Sequence, residues 1–335
     1  MAATLFPQVG VKEDLLDIIS VVDAKNTPIS SNVAKVGADI TNPGIYSYQA
    51  DGYSAPVLDG VLSGADVSSY SDETANRVLL SARAQKVRRA FMTDDFAANV
   101  ANVAGVGKKR EFARATAVAL TELKRDIEAI ISSDNDSDEQ SGADPYKTRG
   151  LGVWIQNGAQ GDLPVPASHR TPTASINTTA TASLTESNLQ AVLQSIYEQT
   201  GQSDRLVLVA GPSLKRAITN FTRFTVNATA NVFNLRQTSQ SAESNKITSN
   251  VSLYEGDFST VEIMSSLFLA AASADAVKFA RGYVVDPAHL MLRYGRRPRF
   301  DELPDMGGGP RGLVDAIVSL AVMTPKAMGK FAATS

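Results

Sequence analysis

The sequence contains no cysteine and only two histidines, His169 and His289, among its 335 residues. The first absence excludes disulfides, thiolate nucleophiles and every zinc or iron–sulfur centre built on sulfur. The second removes most of the remaining metal and acyl-transfer chemistry. No run approaches the roughly 18 apolar residues that a membrane helix requires. The longest candidate, around residues 267–272, is soon broken by Ser273 and Asp275. The opening MAATLFPQVGVKEDLL has neither a cationic start nor a sustained apolar stretch. It does not read as a secretory signal, so no membrane association and a cytoplasmic origin are expected.

What is present suits a globular protein: 43% hydrophobic and 20% charged residues, enough chain for one large domain or two ordinary ones. The net charge of −3 gives no bulk attraction to nucleic acid, but its distribution is uneven. Residues 1–76 hold ten acids and three bases, a net of −7, and residues 77–125 hold eleven bases and four acids, a net of +7. Two adjacent segments of opposite charge suit electrostatic pairing, within one chain or between neighbours.

Residues 12–22 carry Leu15, Ile18, Ile19 and Val22 at helical spacing, after which Pro28, Gly37, Pro43, Gly44 and Gly52 mark an extended arm. Residues 53–76 are small, polar and turn-forming. They lead into RVLLSARAQKVRRAFM, a strand-like segment in which Ala82 and Ala84 alternate with Ser81, Arg83 and Gln85. Such a hairpin, polar on both sides, is marginal alone and must lie on something else. A loop packed on its own domain and an arm reaching to another subunit both meet that need.

A long amphipathic helix is expected over about residues 106–132, where Phe112, Leu120, Leu123, Ile127, Ile130 and Ile131 recur at three- and four-residue steps. Lys108, Lys109 and Arg110 sit near its start, where the dipole disfavours cations. An acidic arm of a neighbour, nucleic acid, or plain solvation would each compensate. The DNDSDEQSGADP that follows has Glu139 and Pro145 where a calcium loop needs Gly at its sixth position and Glu at its twelfth, and reads as a solvated turn. Residues 156–182 read as a surface loop. From Ser183 the pattern turns α/β: a Ser183/Glu186 capping box opens a helix ended by Gly201, and a buried strand, LVLVA, turns at Gly211–Pro212 into a second helix.

The strand–turn–helix around Ser213 lacks the second glycine of a nucleophile elbow, so Ser213 reads as a helix cap. Gly105, Gly107 and Lys108 lack the remaining elements of a phosphate loop. Arg293, Arg296, Arg297 and Arg299 could grip phosphate, but Asp301, Glu302 and Asp305 lie close by to pair with them. Neither a catalytic residue nor a cofactor or metal site is expected.

Taken in order, KEDLLDII (12–19), NTPISS (26–31), YSYQAD (46–51), AQKVRRAFMTDD (84–95), ELKRDIEAIIS (122–132), RGLGVWI (149–155) and VVDPAHLMLRYGRRPRF (284–300) resemble the major capsid proteins of tailed double-stranded DNA bacteriophages. The resemblance spans most of the chain and rests on the order of the motifs. It implies an α+β fold of the Hong Kong ninety-seven type: an N-terminal arm (1–52), an extended β-hairpin loop (53–92), a peripheral domain with a spine helix (93–150), an axial domain (151–283) and a return to the peripheral domain (284–335). It further implies self-assembly into hexamers and pentamers of an icosahedral head around DNA, with scaffold, portal and cement proteins as possible partners and non-specific contact with the packaged DNA. Some relatives crosslink a loop lysine to a neighbour's asparagine, but residues 53–85 contain no lysine here. A nanocompartment shell of the same fold and a Ser213/His289 hydrolase are the competing readings. Residues expected at the assembly interface are Asp14, Asp17, Asp51, Arg83, Arg88, Arg89, Lys108, Lys109, Arg110, Arg296 and Arg297.

Overall fold

The computed structural model describes residues 23, 25–37, 44–72, 74–99, 102–103, 106–108, 110–201, 205–221, 238–241, 244–247, 250–269 and 278–332. In chain order these form α1 (Pro28–Asn32), β1 (Ala34–Gly37), β2 (Ile45–Ala50), β3 (Val78–Arg83), β4 (Gln85–Met92) and α2 (Asp95–Asn99). A short pair, β5 (Asn102–Val103) and β6 (Gly107–Lys108), precedes α3 (Glu111–Ile131) and α4 (Leu151–Trp154). Then come β7 (Ile176–Asn177), α5 (Glu186–Thr200), β8 (Leu206–Ala210), α6 (Pro212–Phe221), β9 (Thr238–Ser241) and β10 (Ser244–Ile247). The chain continues with β11 (Leu253–Glu255), β12 (Thr260–Ser265), β13 (Arg281–Val285), β14 (Leu290–Leu303), β15 (Arg311–Val322) and β16 (Gly329–Ala332).

Two compact units result, one from residues 1–25, 88–123 and 299–315, the other from 26–87, 124–298 and 316–335. The core of the larger unit is a six-stranded sheet in the order β11-β12-β8-β13-β16-β7. Its centre, β8, pairs in parallel with β12 and antiparallel with β13, and all five of its residues are buried. That explains the unbroken apolar run LVLVA: a strand covered on both faces has no solvent side to alternate toward. Leu189, Val192, Leu193 and Ile196 of α5 and Leu214 and Ile218 of α6 join Leu206, Leu208, Val261, Ile263, Val284 and Phe331 in one cluster. The helix spacing read from the sequence is therefore the core-facing stripe of α5. Gly201 ends α5 in the left-handed region at φ 62°, where its N–H donates to the Tyr197 carbonyl.

The smaller unit contains much less buried apolar surface. Phe91, Phe112 and Phe300 form a three-ring cluster with centroids 5.5–6.2 Å apart. Gly312 lies beneath it, and a Cβ there would come within 2.5 Å of the Phe91 ring and 2.7 Å of Phe300.

Several local expectations change. The long helix begins at Glu111, because Gly107 and Lys108 pair back onto Asn102 and Val103. The proposed 12–22 helix lies outside the described residues. The stretch read as a bare arm includes α1, whose Ile29 is buried. Ser183 lies in a 3-10 turn, and Thr185 takes the cap position of α5, so the capping box is not formed. Ser213 sits inside the first turn of α6, and Gly211 supplies the carbonyl that accepts from Lys215 N–H at 2.9 Å. The 156–182 loop is packed: Val165, His169, Thr171 and Ser175 are buried along it. His169, expected on the surface, has its pKa lowered by burial and by nearby Lys326. His289 Nδ1 lies 2.7 Å from Asp286 Oδ2, a contact within its own turn. No helix among the described residues is long and apolar enough to cross a membrane.

Candidate assembly surfaces

β2 and β3 form an antiparallel ribbon in register Tyr46↔Ala82, Tyr48↔Leu80 and Ala50↔Val78 on one face, and Ser47↔Ser81 and Gln49↔Leu79 on the other. Because side chains alternate along a strand, Leu80 and Ala82 are buried beside the tyrosines while Leu79 is exposed. The ribbon opens into residues 51–77. Its base is closed by an Arg77–Asp51 ion pair at 3.2 Å and an Asn76 Nδ2 to Ser54 Oγ bond at 3.0 Å, and a turn joins Ala65 N–H to the Leu62 carbonyl. Between base and turn the described residues form no ladder. Val57, Leu58, Val61 and Leu62 are 84–95% exposed, and Tyr53, Val67 and Tyr70 are also bare. A group of large apolar side chains in this state is unusual for a folded surface. The expectation of a hairpin polar on both sides is corrected here: the small polar residues separate the apolar ones without covering them.

The stem is tied to the body of its unit at three points. The Tyr48 hydroxyl donates to the Val322 carbonyl at 2.5 Å and accepts from Val322 N–H at 3.1 Å, and burial raises its pKa. Arg293 lies 4.1 Å over the Tyr46 ring, a cation–π contact. On the opposite strand Arg83 is only 4% exposed, donating from Nε to Asp162 at 2.5 Å and from Nη2 to Asp162 at 3.1 Å and Glu139 at 3.2 Å. The hydrogen bond from Arg83 holds the Asp162 carboxyl below the usual range.

Glu139 belongs to the acidic connection read as a solvated turn, and the structure overturns that reading. Asp134 is bound by Arg281 and by Lys330 Nζ, the latter at 2.9 Å, and Asp138 by Lys147 at 3.2 Å. Asp136 receives Arg149 Nε at 2.7 Å and Gly161 N–H at 2.8 Å. Arg149, 1% exposed, also donates to the carbonyls of Leu163 and Asp162 and to Ser137 Oγ, with its guanidinium 4.9 Å over Trp154. The acids look solvated in the sequence because their cationic partners stand outside the segment, from nine residues on for Asp138 to 196 for Asp134. Of this segment, Glu139 bonds Arg83 directly, and Asp136 holds the Arg149 that bonds the Asp162 carbonyl.

A second carboxylate missed from the sequence is Glu128 of α3. It is fully buried, and its two oxygens accept Ile29 N–H at 2.9 Å and Ser30 N–H at 2.8 Å, satisfying otherwise orphan donors at the start of α1. Burial raises its pKa against the opposing effect of those bonds. Lys124 stands four residues before it, the spacing of an ordinary pair on a helix surface, and that spacing conceals the role in the sequence.

The expected interface residues are dispersed. Asp51 is exposed at the loop base. Arg88 and Arg89 are exposed on β4, with Arg89 3.8 Å from Glu122, and Arg110 is exposed before α3. Arg297 is exposed and Arg296 half-buried on β14, while Arg299 pairs with Asp301 at 3.0 Å. Lys108 lies in β6; Asp14, Asp17 and Lys109 lie outside the described residues. Arg83 faces inward, bonded within its own unit, because two carboxylates enclose it. The seven bare apolar loop residues were not among those expected, although Val57, Leu58, Val61 and Leu62 stand close together in the sequence.

The fold as a whole is shared with solved structures. The chain is similar to a chain of the capsid of cyanophage P-SCSP1u, at 11% identity and TM-score 0.58, covering 99% of this chain and 94% of that one. It is similar at 14% identity and TM-score 0.58 to a chain of Gordonia phage Cozz, over 97% and 92% of the two chains. A chain from the capsid of a native GTA particle aligns at 15% identity and TM-score 0.58, over 98% and 96%. At these identities the likeness establishes the fold: an α+β capsid fold of the Hong Kong ninety-seven type. No curated protein matches in sequence. The model of the SU10 major capsid protein family matches residues 2–335, and with it the competing nanocompartment and hydrolase readings lose their support. The chain is a capsid-forming structural protein and belongs to the SU10 major capsid protein family.

Proposed function

We propose that the chain assembles into hexamers and pentamers of an icosahedral phage head around double-stranded DNA, each subunit laying residues 51–77 on neighbouring copies. The observation that carries this reading is the bare loop, whose Val57, Leu58, Val61 and Leu62 nothing within the described chain covers. Burying a Val or Leu side chain is worth about 1.5–3 kcal/mol, so four of them across many subunits supply a large gain for closing a shell. A structurally similar chain comes from a particle computed with C5 symmetry, which supports the pentamer. The protein acts without catalysis. Its division is into an arm (1–52), extended loop (53–92), peripheral domain with the spine helix (93–150), axial domain (151–283) and peripheral return (284–335). Assembly takes place in the host cytoplasm, with scaffold, portal and cement proteins as partners. The exposed Arg88, Arg110 and Arg297 are available to a neighbour's acids or to packaged DNA, with Asp14, Asp17, Asp51, Arg89, Lys108, Lys109 and Arg296 in the same role.

Negative-stain microscopy of the chain, expressed with any neighbouring scaffold and protease genes, tests the reading. Shells, rings or tubes are expected, and a population that stays monomeric would refute it. Reversing Arg88 and Arg89 to Glu should block shell formation while the subunit still folds; an unchanged shell yield would remove charge pairing from the account.

A further inference from the structure

We infer that the direction of loop 51–77 is set inside the unassembled subunit by the buried clamp on its stem, with Tyr48 and Arg83 as positioning residues that govern how uniformly the shell closes. This inference rests on the capsid reading and adds a determinant to it. A two-stranded ribbon is marginal in water and would pivot on its ends. Here both strands are secured, and by groups that resist sliding. Tyr48 bonds both main-chain groups of Val322, so a one-residue shift of β2 would lose both bonds and turn the ring to the other face. Arg83 sits in a planar fork against Asp162, whose own carbonyl is fixed by the buried Arg149.

The socket draws on the acidic connection that follows α3. The acidic connection contributes Glu139 directly and Asp136 and Ser137 through Arg149. Beyond the clamp the bonds described for the loop are those at its base and local turn bonds such as Ala65 N–H to the Leu62 carbonyl, so orientation is imposed at the stem and apolar contact is made at the tip. A loop that finds its direction only on docking would need none of this. One aimed in advance avoids part of the ordering cost at each contact, and a fixed angle repeated in every subunit fixes a curvature.

Two measurements on the full chain decide the matter. In the unassembled wild-type subunit, backbone amides of residues 45–50 and 78–83 should exchange with solvent at least about 100-fold more slowly than those of residues 53–76. Equal exchange in the two groups would overturn the inference outright. Tyr48→Phe keeps the ring and removes both hydroxyl bonds, and Arg83→Lys keeps the charge and removes the fork. Each should cut stem protection by about tenfold and broaden the distribution of particle diameters, with tubes or open sheets appearing. Shells of wild-type diameter and uniformity from both variants would sink the positioning role while leaving the capsid reading intact. A wild-type chain that forms no particle at all would instead count against the capsid reading. Should a variant fail to yield soluble subunit, the wild-type exchange measurement still decides.

Discussion

Residues 206–210 and residues 57–62 are both short segments rich in valine and leucine, and their fates are opposite. Every residue of LVLVA in β8 is buried between α5, α6 and the neighbouring strands, whereas VLDGVL in the loop leaves all four of its large side chains bare. The first finds its cover within its own unit. The second is interrupted by Asp59 and Gly60, has no ladder partner among the described residues, and follows a stem bonded to its own unit. Both segments carry large apolar side chains, and only the geometry around each decides whether its own chain covers it.

The largest effect on that contrast is expected from the core. Leu208→Ala should lower the stability of the unassembled subunit by about 2–5 kcal/mol in denaturant unfolding, because a fully buried leucine leaves a cavity. A loss under about 1 kcal/mol would remove the distinction drawn between the two segments. Next, Glu128→Gln should cost about 1–3 kcal/mol, since an amide accepts through one oxygen only and turns an NH2 group toward a backbone donor. The same unfolding measurement checks it, with Glu128→Asp too short to reach both N–H groups.

Replacing Val57, Leu58, Val61 and Leu62 together by Ser should change subunit stability by no more than about 0.5 kcal/mol per site while abolishing shells in the electron microscope. A large loss of subunit stability would show that the loop is covered by its own chain after all. The smallest effect concerns acid. Arg83 holds the Asp162 carboxyl below its unfolded value, so the folded state binds that proton less tightly. The stabilisation is fully present above the unfolded carboxylate range of about pH 4 and is lost as pH falls through the depressed value. In Arg83→Met this contribution disappears, and the stability gap between wild type and variant should narrow as the pH is lowered below about 4; a gap independent of pH would separate Asp162 from the clamp.

Much of this was legible from residue order. Helical spacing located α3, α5 and α6, five consecutive apolar residues announced a doubly covered strand, and the absence of cysteine with only two histidines left little room for catalysis. The ordered motifs led to the capsid fold, and local signals alone would not have done so. Where the reading failed, the missing information was a partner distant in sequence. Asp134, Asp136 and Glu139 appear solvated until Arg281, Lys330, Arg149 and Arg83 are brought to them. Arg83 appears to be a surface cation until Asp162, 79 residues away, closes on it. Glu128 appears to be half of a helical surface pair until α1, 98 residues earlier, presents two N–H groups.

The sequence by itself determined the helices, the central strand and the chemistry that is impossible here, because periodicity and composition act over a few residues and need no knowledge of the rest of the chain. The tertiary structure alone decided which charges are buried and which apolar groups are bare. Both depend on what the fold places opposite each residue, and that sets whether a valine is buried in the core or left bare.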